Sequence, residues 1–186
     1  HAVWNLLITG VSRSLTHELI RHRAGFSYSQ LSQRYVDESV AEYVEPDIIA
    51  ADPELHAVWV KAIRKVHEAY VELNQLLTRK LDDPDYARRW LPESASSTAR
   101  KKTARQAARS VLPNATETKI FVTANARALR HFLEQRGSRH AEPEIRKLAN
   151  RMLDVLQQES PHLFGDYGRI KLPDGTFEII TTWRKV

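Results

Sequence analysis

The strongest constraint on the fold is a long stretch of helical periodicity in the middle of the chain. Asp52 can cap a helix and Pro53 suits its first turn, and the pattern then runs to about Leu81. A helix of that length with one apolar stripe needs a packing partner. We expect the stripe to pack in the core, with a subunit interface as the alternative. The residues of the apolar stripe recur alternately four and three positions apart: Leu55, Trp59, Ala62, Val66, Ala69, Leu73 and Leu76.

The N-terminal third predicts a strand, a helix and a loop. Residues 2–9 are apolar and partly β-branched, which is typical of a strand. Ser12 or Ser14 can cap the following helix, whose apolar positions Val11, Leu15 and Leu19 recur every fourth residue. Spacings of three and four place Glu18, Arg21 and His22 together near the end of this helix. Residues 35–51, with Pro46, are predicted to form an extended loop.

The C-terminal half alternates helices and strands. Residues 98–111 predict a basic helix with Ala104, Ala107, Ala108 and Val111 towards the core, and residues 116–123 predict a strand. Asn125 can cap a helix that Gly137 ends, with Leu129, Phe132 and Leu133 facing inward. A further helix is predicted from Pro143 to about Glu159, with a core stripe of Ile145, Leu148, Met152 and Leu156. Residues 169–172 and 176–182 predict a terminal hairpin. These elements indicate an α+β fold, a mostly antiparallel sheet packed with long helices.

Length and composition predict a single domain over residues 1–186. Because the chain begins with His1 and runs at once into a strand pattern, we expect it to lack an N-terminal portion, which can hold further site residues. No apolar run approaches the length of a membrane span, so no membrane association and a cytoplasmic location are expected.

The absence of cysteine excludes disulfides, thiolate metal sites and any cysteine nucleophile. No metal is predicted either, because His17, His56, His67 and His162 do not have metal-ligand spacing. The net charge of +5 is unevenly distributed, since residues 97–139 carry a net charge of +8 and the rest −3. Such a basic region can bind nucleic acid or small anionic ligands, or serve solubility alone.

The most informative polar stretch runs from Arg21 to Tyr35, with the sequence RHRAGFSYSQLSQRY. Arginine offers a rigid fork of donors to phosphate or a planar ring, histidine can donate or accept near neutral pH, and serine and glutamine can bind the edge of a base. The stretch therefore predicts a site for a phosphorylated, ring-bearing ligand, with a solvated turn after a helix as the structural alternative.

Arg21-His22-Arg23 followed by Ser32-Gln33-Arg34-Tyr35 resembles the signature of the flavin-dependent thymidylate synthases. That signature has seven residues between the triplet and the serine, whereas this chain has the eight residues 24–31, and we place the extra residue at Ala24-Gly25. The similarity continues through residues 104–113 and 123–127 to Arg136 and His140, and so covers nearly the whole chain.

The resemblance implies roles for residues in several segments. Arg136 matches the catalytic arginine credited with binding uracil and favouring its ionised form. The positions implied to hold the flavin are Arg21, His22, Arg23, Gln30, Asn125, Arg127, His131 and His140. The positions implied to hold deoxyuridylate are Glu18, Arg21, Gln30, Leu31, Ser32, Gln33, Arg34, Arg109 and Arg136. A nucleophilic role for Ser32 is disfavoured because its neighbours in sequence offer no His-Asp relay.

The resemblance also implies the reaction. Deoxyuridylate (dUMP) would be reductively methylated to dTMP, with methylenetetrahydrofolate giving the carbon and FAD, reduced by NADPH, giving the hydride. A homotetramer with shared active sites is implied as well. Two alternatives are a homologue that has lost catalysis and, less favoured, a basic nucleic-acid-binding module.

Overall fold

A computed structural model describes residues 2–184. Its strands are β1 (Val3–Ser12), β2 (Phe26–Gln30), β3 (Glu117–Asn125), β4 (Gly168–Lys171) and β5 (Phe177–Ile180). Its helices are α1 (Arg13–Leu19), α2 (Asp47–Ala50), α3 (Pro53–Asp82), α4 (Pro84–Ala87), α5 (Ser97–Ala108), α6 (Ala126–Arg136), α7 (Pro143–Glu159) and α8 (Pro161–Phe164), and 3-10 turns cover Glu38–Val40 and Arg109–Val111. The α+β prediction is confirmed.

The chain divides into two compact units. The first contains the residues up to Gln30 and those from Lys119 onward, and the second is the intervening segment, Leu31–Thr118. A domain can contain more than one compact unit, so the single-domain assignment stays a prediction.

The first unit is built on a three-stranded sheet in the order β1-β3-β2. Strands β2 and β3 are antiparallel, with Phe26 opposite Ala124 and Gln30 opposite Ile120. Alternate residues of β3 point into the core, where Ile120 and Val122 pack with the buried face of α6. As predicted, that helix buries Leu129, Phe132 and Leu133 completely.

Side-chain caps and the terminal hairpin agree with the sequence-based predictions. Ser12 Oγ accepts a hydrogen bond from Leu15 N at 3.0 Å and so begins α1, and Asn125 Oδ1 accepts from Ala128 N at 2.9 Å and so begins α6. Gly137 ends α6 by donating to the Leu133 carbonyl at 2.8 Å. Strands β4 and β5 form the expected antiparallel hairpin, and the core stripe of α7 is buried except at Leu148, which is half-buried.

The second unit is built on α3, whose predicted cap and length are confirmed. The predicted core stripe is wrong at Leu55, Ala62 and Leu76, which are exposed, whereas Tyr70 and Leu81 are the buried residues of the helix. The packing face is offset from the predicted stripe, and α5, with 12 residues, covers only part of the 30-residue α3.

Two further predictions in this unit need correction. In the basic helix, Ala104 and Ala108 are buried but Ala107 is exposed, and the last turn is a 3-10 turn. The predicted extended loop at residues 35–51 contains a 3-10 turn capped by Asp37 and the short helix α2. A β-bridge also pairs Tyr43 of this loop with Thr116, the residue directly before β3. The Asp37 cap and the hydrogen bonds that Ile49 N and Ala50 N donate to the Pro46 carbonyl give this segment more order than its composition suggests.

Within residues 2–184, none of the helices combines the length and the apolar composition needed to cross a lipid bilayer.

Ala24 and Gly25, where we placed the extra residue, form a tight turn in the first unit. Phe26 N donates to the Arg23 carbonyl at 3.2 Å, and Gly25 has a φ of +76°. Asn125 N in turn donates to the Gly25 carbonyl at 3.1 Å. A Cβ atom on Gly25 would lie 2.5 Å from Asn125 Nδ2 and 2.8 Å from Ala128 Cβ. Both the backbone angle and the close approach therefore require glycine.

We expect Gly25→Ala to lower the free energy of unfolding by about 2–4 kcal/mol, because left-handed strain and a steric clash add together. Gly175→Ala is the matched control, since Gly175 has a similar φ of +81° but no atom within 4 Å of the added Cβ. Gly175→Ala should lower the free energy of unfolding by only about 1–2 kcal/mol. Urea unfolding of both variants measures the difference, and equal losses would contradict the proposed clash.

Candidate functional site

Two adjacent cavities lie in the first unit. The larger has a volume of about 560 Å³ and the smaller about 460 Å³, and they share Ala24 and His131. The larger is lined by Arg21, His22, Arg23, Ala24, Phe26, His131, Gln135 and Arg136. The smaller is lined by Ala24, Gly25, Asn125, Arg127, Ala128 and His131. The cations of the signature triplet and of α6 thus converge on one concave surface.

The triplet is held by the chain that follows it. Helix α1 ends at Leu19, so Arg21 and His22 lie in the turn after the helix and not on its last turn. Tyr28 Oη shares its proton between the carbonyl oxygens of Leu19, at 2.8 Å, and His22, at 2.6 Å. Burial raises the pKa of Tyr28, which keeps the hydroxyl protonated. Strand β2 therefore fixes the backbone that presents the triplet to the cavity.

Arg136 is held by two partners at the cavity wall. Its Nη1 donates to Glu18 Oε2 at 2.6 Å and its Nε donates to His22 Nε2 at 2.9 Å. A histidine nitrogen can accept this bond only when it carries no proton. Burial, together with the positive charges of Arg136 and His131, lowers the pKa of His22 to about 4. His22 is therefore neutral at physiological pH, and Arg136 keeps its positive charge beside it.

Glu18 has a pKa above its ordinary value. Burial is the largest cause, and the nearby Glu142 carboxylate raises the pKa further, so that the two effects outweigh the ion pair with Arg136 and the positive charge of Arg21, which lower it.

The remaining predicted residues of the first unit have different surroundings. Arg21, Arg23 and Arg127 are exposed at the cavities. Gln30 Nε2 donates to Thr16 Oγ1 at 3.0 Å, which ties β2 to α1. His140 is exposed and is not among the described residues that line the two cavities.

Five predicted residues belong to the second unit, so the cavity geometry of the first unit does not include them: Leu31, Ser32, Gln33, Arg34 and Arg109. Ser32 Oγ accepts a long hydrogen bond of 3.4 Å from Arg34 N, as in a turn. Gln33 is buried, with 7% of its surface exposed. Gln33 Nε2 and Arg34 Nε are buried atoms without a hydrogen-bond partner among the described residues.

Sequence reasoning missed three residues around the cavity. Gln135 lies on α6 four positions after His131, and that spacing was enough to place it on the same face. Tyr28 and Glu142 had no comparable signal, because their contacts are with residues brought close only by the fold. Within residues 2–184 the structure has no group of three or more His, Cys, Asp or Glu residues that could hold a metal ion.

Ion pairs within the described residues 2–184 neutralise part of the charge of the basic region, residues 97–139. Half of its ten Lys and Arg residues contact a carboxylate within 3.3 Å. These are Arg100 with Asp82, Arg105 with Asp37, Arg130 with Asp166, Arg136 with Glu18 and Arg139 with Glu178. The region is therefore a weaker anion-binding surface than its net charge of +8 suggests.

Comparison with known proteins places the chain among related sequences. A family model described as "Thymidylate synthase complementing protein" matches residues 1–162. A protein of Mycolicibacterium gilvum is 52% identical over 182 residues, which is 98% of this chain and 68% of the relative. Relatives from Mycobacteroides abscessus (51% identical; 95% of this chain and 66% of the relative) and Mycobacterium sp. (50% identical; 98% and 68%) are similar. All three are named flavin-dependent thymidylate synthase.

The hydrogen bond from Arg136 to His22 generates a prediction about protonation. We expect the His22 ring to titrate at a pKa of about 4 and to carry its proton on Nδ1 at neutral pH. Because this pKa lies below that of an unfolded histidine, the neutral ring stabilises the fold above pH 6.5, and the stabilisation is lost as the pH falls towards 4. Nitrogen NMR of the histidine rings measures both properties. In Arg136→Gln, which removes one charge, the pKa of His22 should rise, and an unchanged pKa would contradict the assignment.

Proposed function

The chain belongs to the flavin-dependent thymidylate synthase family, and we propose that it catalyses the reductive methylation of dUMP to dTMP as a methyltransferase. The observation that carries the proposal is Arg136, a permanently charged guanidinium at a cavity wall between a neutral histidine and a carboxyl group. Such a group can stabilise negative charge as it develops on a bound ring.

The donor set of the two cavities suits a flavin dinucleotide. Arg21, Arg23 and Arg127 can offer exposed guanidinium groups to a diphosphate. His131 lines both cavities, and Asn125 lines the smaller one. We assign flavin binding to Arg21, His22, Arg23, Gln30, Asn125, Arg127 and His131, with His140 as a further candidate. When bound, FAD would supply the hydride, with NADPH as the reductant and methylenetetrahydrofolate as the carbon donor.

Arg136 is proposed to bind a carbonyl oxygen of uracil. Its charge there would favour the ionised ring and raise electron density at C5, the atom that attacks the one-carbon unit. The 186 residues contain no cysteine that could form a covalent adduct with the ring, and the proposal relies on electrostatic activation instead. Glu18 and His22 orient the guanidinium and restrict its motion.

The remaining dUMP-binding residues are proposed from the chemistry of the second unit. Gln33 Nε2 and Arg34 Nε are buried donors without a partner among residues 2–184. Leaving a buried donor unsatisfied costs about 1–3 kcal/mol, a cost that a ligand oxygen would remove. This supports roles for Gln33 and Arg34 in holding the nucleotide, with Leu31, Ser32 and Arg109 assigned by the same motif.

A homotetramer with shared active sites is part of the proposal. Exposed apolar side chains on the outer face of the sheet and along α3 support it, because they offer surface for another subunit: Val3, Leu7, Phe121, Leu55 and Val58. A cytoplasmic location stays a prediction. The nucleic-acid alternative is weakened by the ion pairs of the basic region.

We expect Arg136→Ala to keep the bound flavin and to lose about 100-fold or more in turnover, because it removes the group that faces the developing charge. Release of tritium from C5-labelled dUMP, with FAD, NADPH and methylenetetrahydrofolate present, measures turnover, and the flavin absorption spectrum measures cofactor binding. Arg139→Ala is a control, because Arg139 is the other arginine near the end of α6 and pairs with Glu178.

Wild-type turnover in Arg136→Ala would remove the proposed role of this residue. A colourless wild-type protein that takes up no added FAD and releases no tritium would refute the enzyme, and would leave the inactive homologue. Binding of oligonucleotides with a steep salt dependence would then favour the nucleic-acid alternative.

We expect Gln33→Leu to stabilise the ligand-free protein by about 1 kcal/mol while weakening dUMP binding, because it removes an unsatisfied buried donor that the nucleotide would satisfy. Gln157→Leu is the matched control, since Gln157 Nε2 already donates to the carbonyls of Phe164 and Tyr167 at 3.1 and 2.9 Å. The control should be destabilised and bind dUMP normally. Thermal unfolding and calorimetric titration measure the two effects, and unchanged dUMP affinity in Gln33→Leu would contradict the role.

A further inference from the structure

We propose that Arg146, a buried cation of α7, is a positioning residue for Arg136. It ties the turn of the β4–β5 hairpin to residues 137–141, the segment that follows α6, and so fixes the end of the helix that carries Arg136. This inference rests on the proposed function where it concerns turnover, because it assumes that Arg136 acts on the uracil ring.

Arg146 is almost completely buried, with 3% of its surface exposed, and each of its three side-chain nitrogen atoms donates a hydrogen bond. Nη1 donates to two carbonyl oxygens of the segment after α6, those of Arg139 at 2.8 Å and Ala141 at 2.9 Å. On the hairpin, Nε donates to Thr176 Oγ1 at 2.8 Å and Nη2 donates to the Asp174 carboxylate. One side chain thus connects α7, the hairpin turn and the segment after α6.

The burial of a charged group is costly, and it is offset at Arg146 because the guanidinium has a carboxylate partner and several fixed acceptors. An arginine fork suits this junction, since its planar donors point in different directions. A lysine would keep the charge but has a single side-chain nitrogen, which cannot replace three. Position 146 therefore requires the geometry of arginine as well as its charge.

The hairpin also contacts the residue directly after Arg136. Ile179 N donates to the Gly137 carbonyl at 2.8 Å, and Gly137 N donates to the Leu133 carbonyl at 2.8 Å, which closes the last turn of α6. The contact is close, because a Cβ atom on Gly137 would lie 2.6 Å from the Cβ atom of the buried Ile179. Strand β5 therefore fixes the backbone directly after Arg136.

The exposed ion pair between Glu178 and Arg139 adds little to this anchoring. The Arg139 side chain is 53% exposed, and exposed ion pairs are weakened by water and salt. Removing that side chain leaves the Arg139 carbonyl, which is the group that Arg146 binds. Arg139→Ala therefore remains a suitable control for Arg136→Ala.

The contacts of the Arg136 guanidinium depend on where α6 ends. Its Nη1 and Nε reach Glu18 and His22, which belong to α1 and to the turn after it. A displacement of about 1 Å in a catalytic group can lower a rate by about 100-fold. A change at Arg146 that moves the end of α6 should therefore affect turnover, and it should also change the charge that His22 experiences.

Arg146→Lys tests the inference. We expect this variant to keep its flavin and to lose about tenfold or more in kcat for tritium release from dUMP, with a similar loss in kcat/KM. Nitrogen NMR of the histidine rings should show a higher pKa for His22. Burial and the charge of Arg136 lower that pKa, and in the variant the Arg136 charge lies further away. The pKa should move towards its value in Arg136→Gln.

Arg169→Lys is the matched control for Arg146→Lys. It makes the same change on the hairpin itself, where, within residues 2–184, Arg169 binds Asn150 and Asp154 of α7 and not the segment after α6. We expect the kcat of this variant and the pKa of its His22 to equal those of the wild type. Thermal unfolding of both variants measures any general loss of stability.

Gly137→Ala tests the same anchoring with Arg146 intact, and it decides the question if Arg146→Lys does not fold. Gly137 has a φ of −82°, which alanine adopts freely, so the effect comes from the added Cβ atom. Gly165→Ala is its control. In both variants the Cβ would lie 2.5 Å from the carbonyl oxygen four residues earlier, but at Gly165 the three nearest atoms all belong to Pro161. Only Gly137→Ala should lower kcat and raise the pKa of His22.

An unmoved pKa of His22 in Arg146→Lys would overturn the inference, and so would the same result in Gly137→Ala where Arg146→Lys does not fold. Equal changes in the matched control would overturn it too, because general loosening would then be the cause. A raised pKa with wild-type kcat would refute the link to turnover. If the wild-type protein releases no tritium, the proposed function fails instead, and the pKa of His22 in the ligand-free variants still decides the positioning.

Discussion

The site depends on a guanidinium group held without being fully neutralised. Arg136 has one partner that can be anionic, Glu18, and one that is neutral, His22. Two carboxylates would have fixed the charge inside the protein, and no partner would have left a long side chain free among its rotamers. The observed arrangement keeps the guanidinium in place and leaves much of its charge uncompensated at the cavity wall. Burial of His22 against Phe132 and Phe26 is what makes it possible, because burial keeps the imidazole neutral.

Much of the fold could be predicted from short-range rules. Ser12, Asp52 and Asn125 cap the helices that their positions in the sequence indicate, and Gly137 ends the helix that it was expected to end. These predictions succeed because a cap and the amide groups it satisfies are within three or four residues of each other. The packing of α3 was less predictable. Its stripe has the right period, but which side of a helix is buried depends on the length and position of α5, and the stripe alone does not contain that information.

The candidate site shows the same division. The triplet Arg21–Arg23, His131 and Arg136 could be assigned from their motif, and the cavity brings them together. The residues that position these side chains or shift their pKa could not be predicted from the motif. Glu142 looks like an ordinary residue before a helix-opening proline, and Tyr28 like an inward residue of a strand. Each acts on groups that the fold brings near: the charge of Glu142 raises the pKa of Glu18, and Tyr28 donates to the carbonyls of Leu19 and His22.

Helix α6 acts as a fixed spacer between the two cavities. It begins at the Asn125 cap beside Arg127 and ends at Arg136, so its 11 residues set an axial separation of about 16 Å and a fixed rotation between the two ends. One added residue in this helix would turn Arg136 by about 100° relative to Arg127 and carry it away from Glu18 and His22. The turn at Ala24-Gly25 packs against the start of the same helix, where Gly25 approaches Asn125 and Ala128. The length of α6 therefore sets the distance and the relative orientation at which Arg127 and Arg136 face the two cavities.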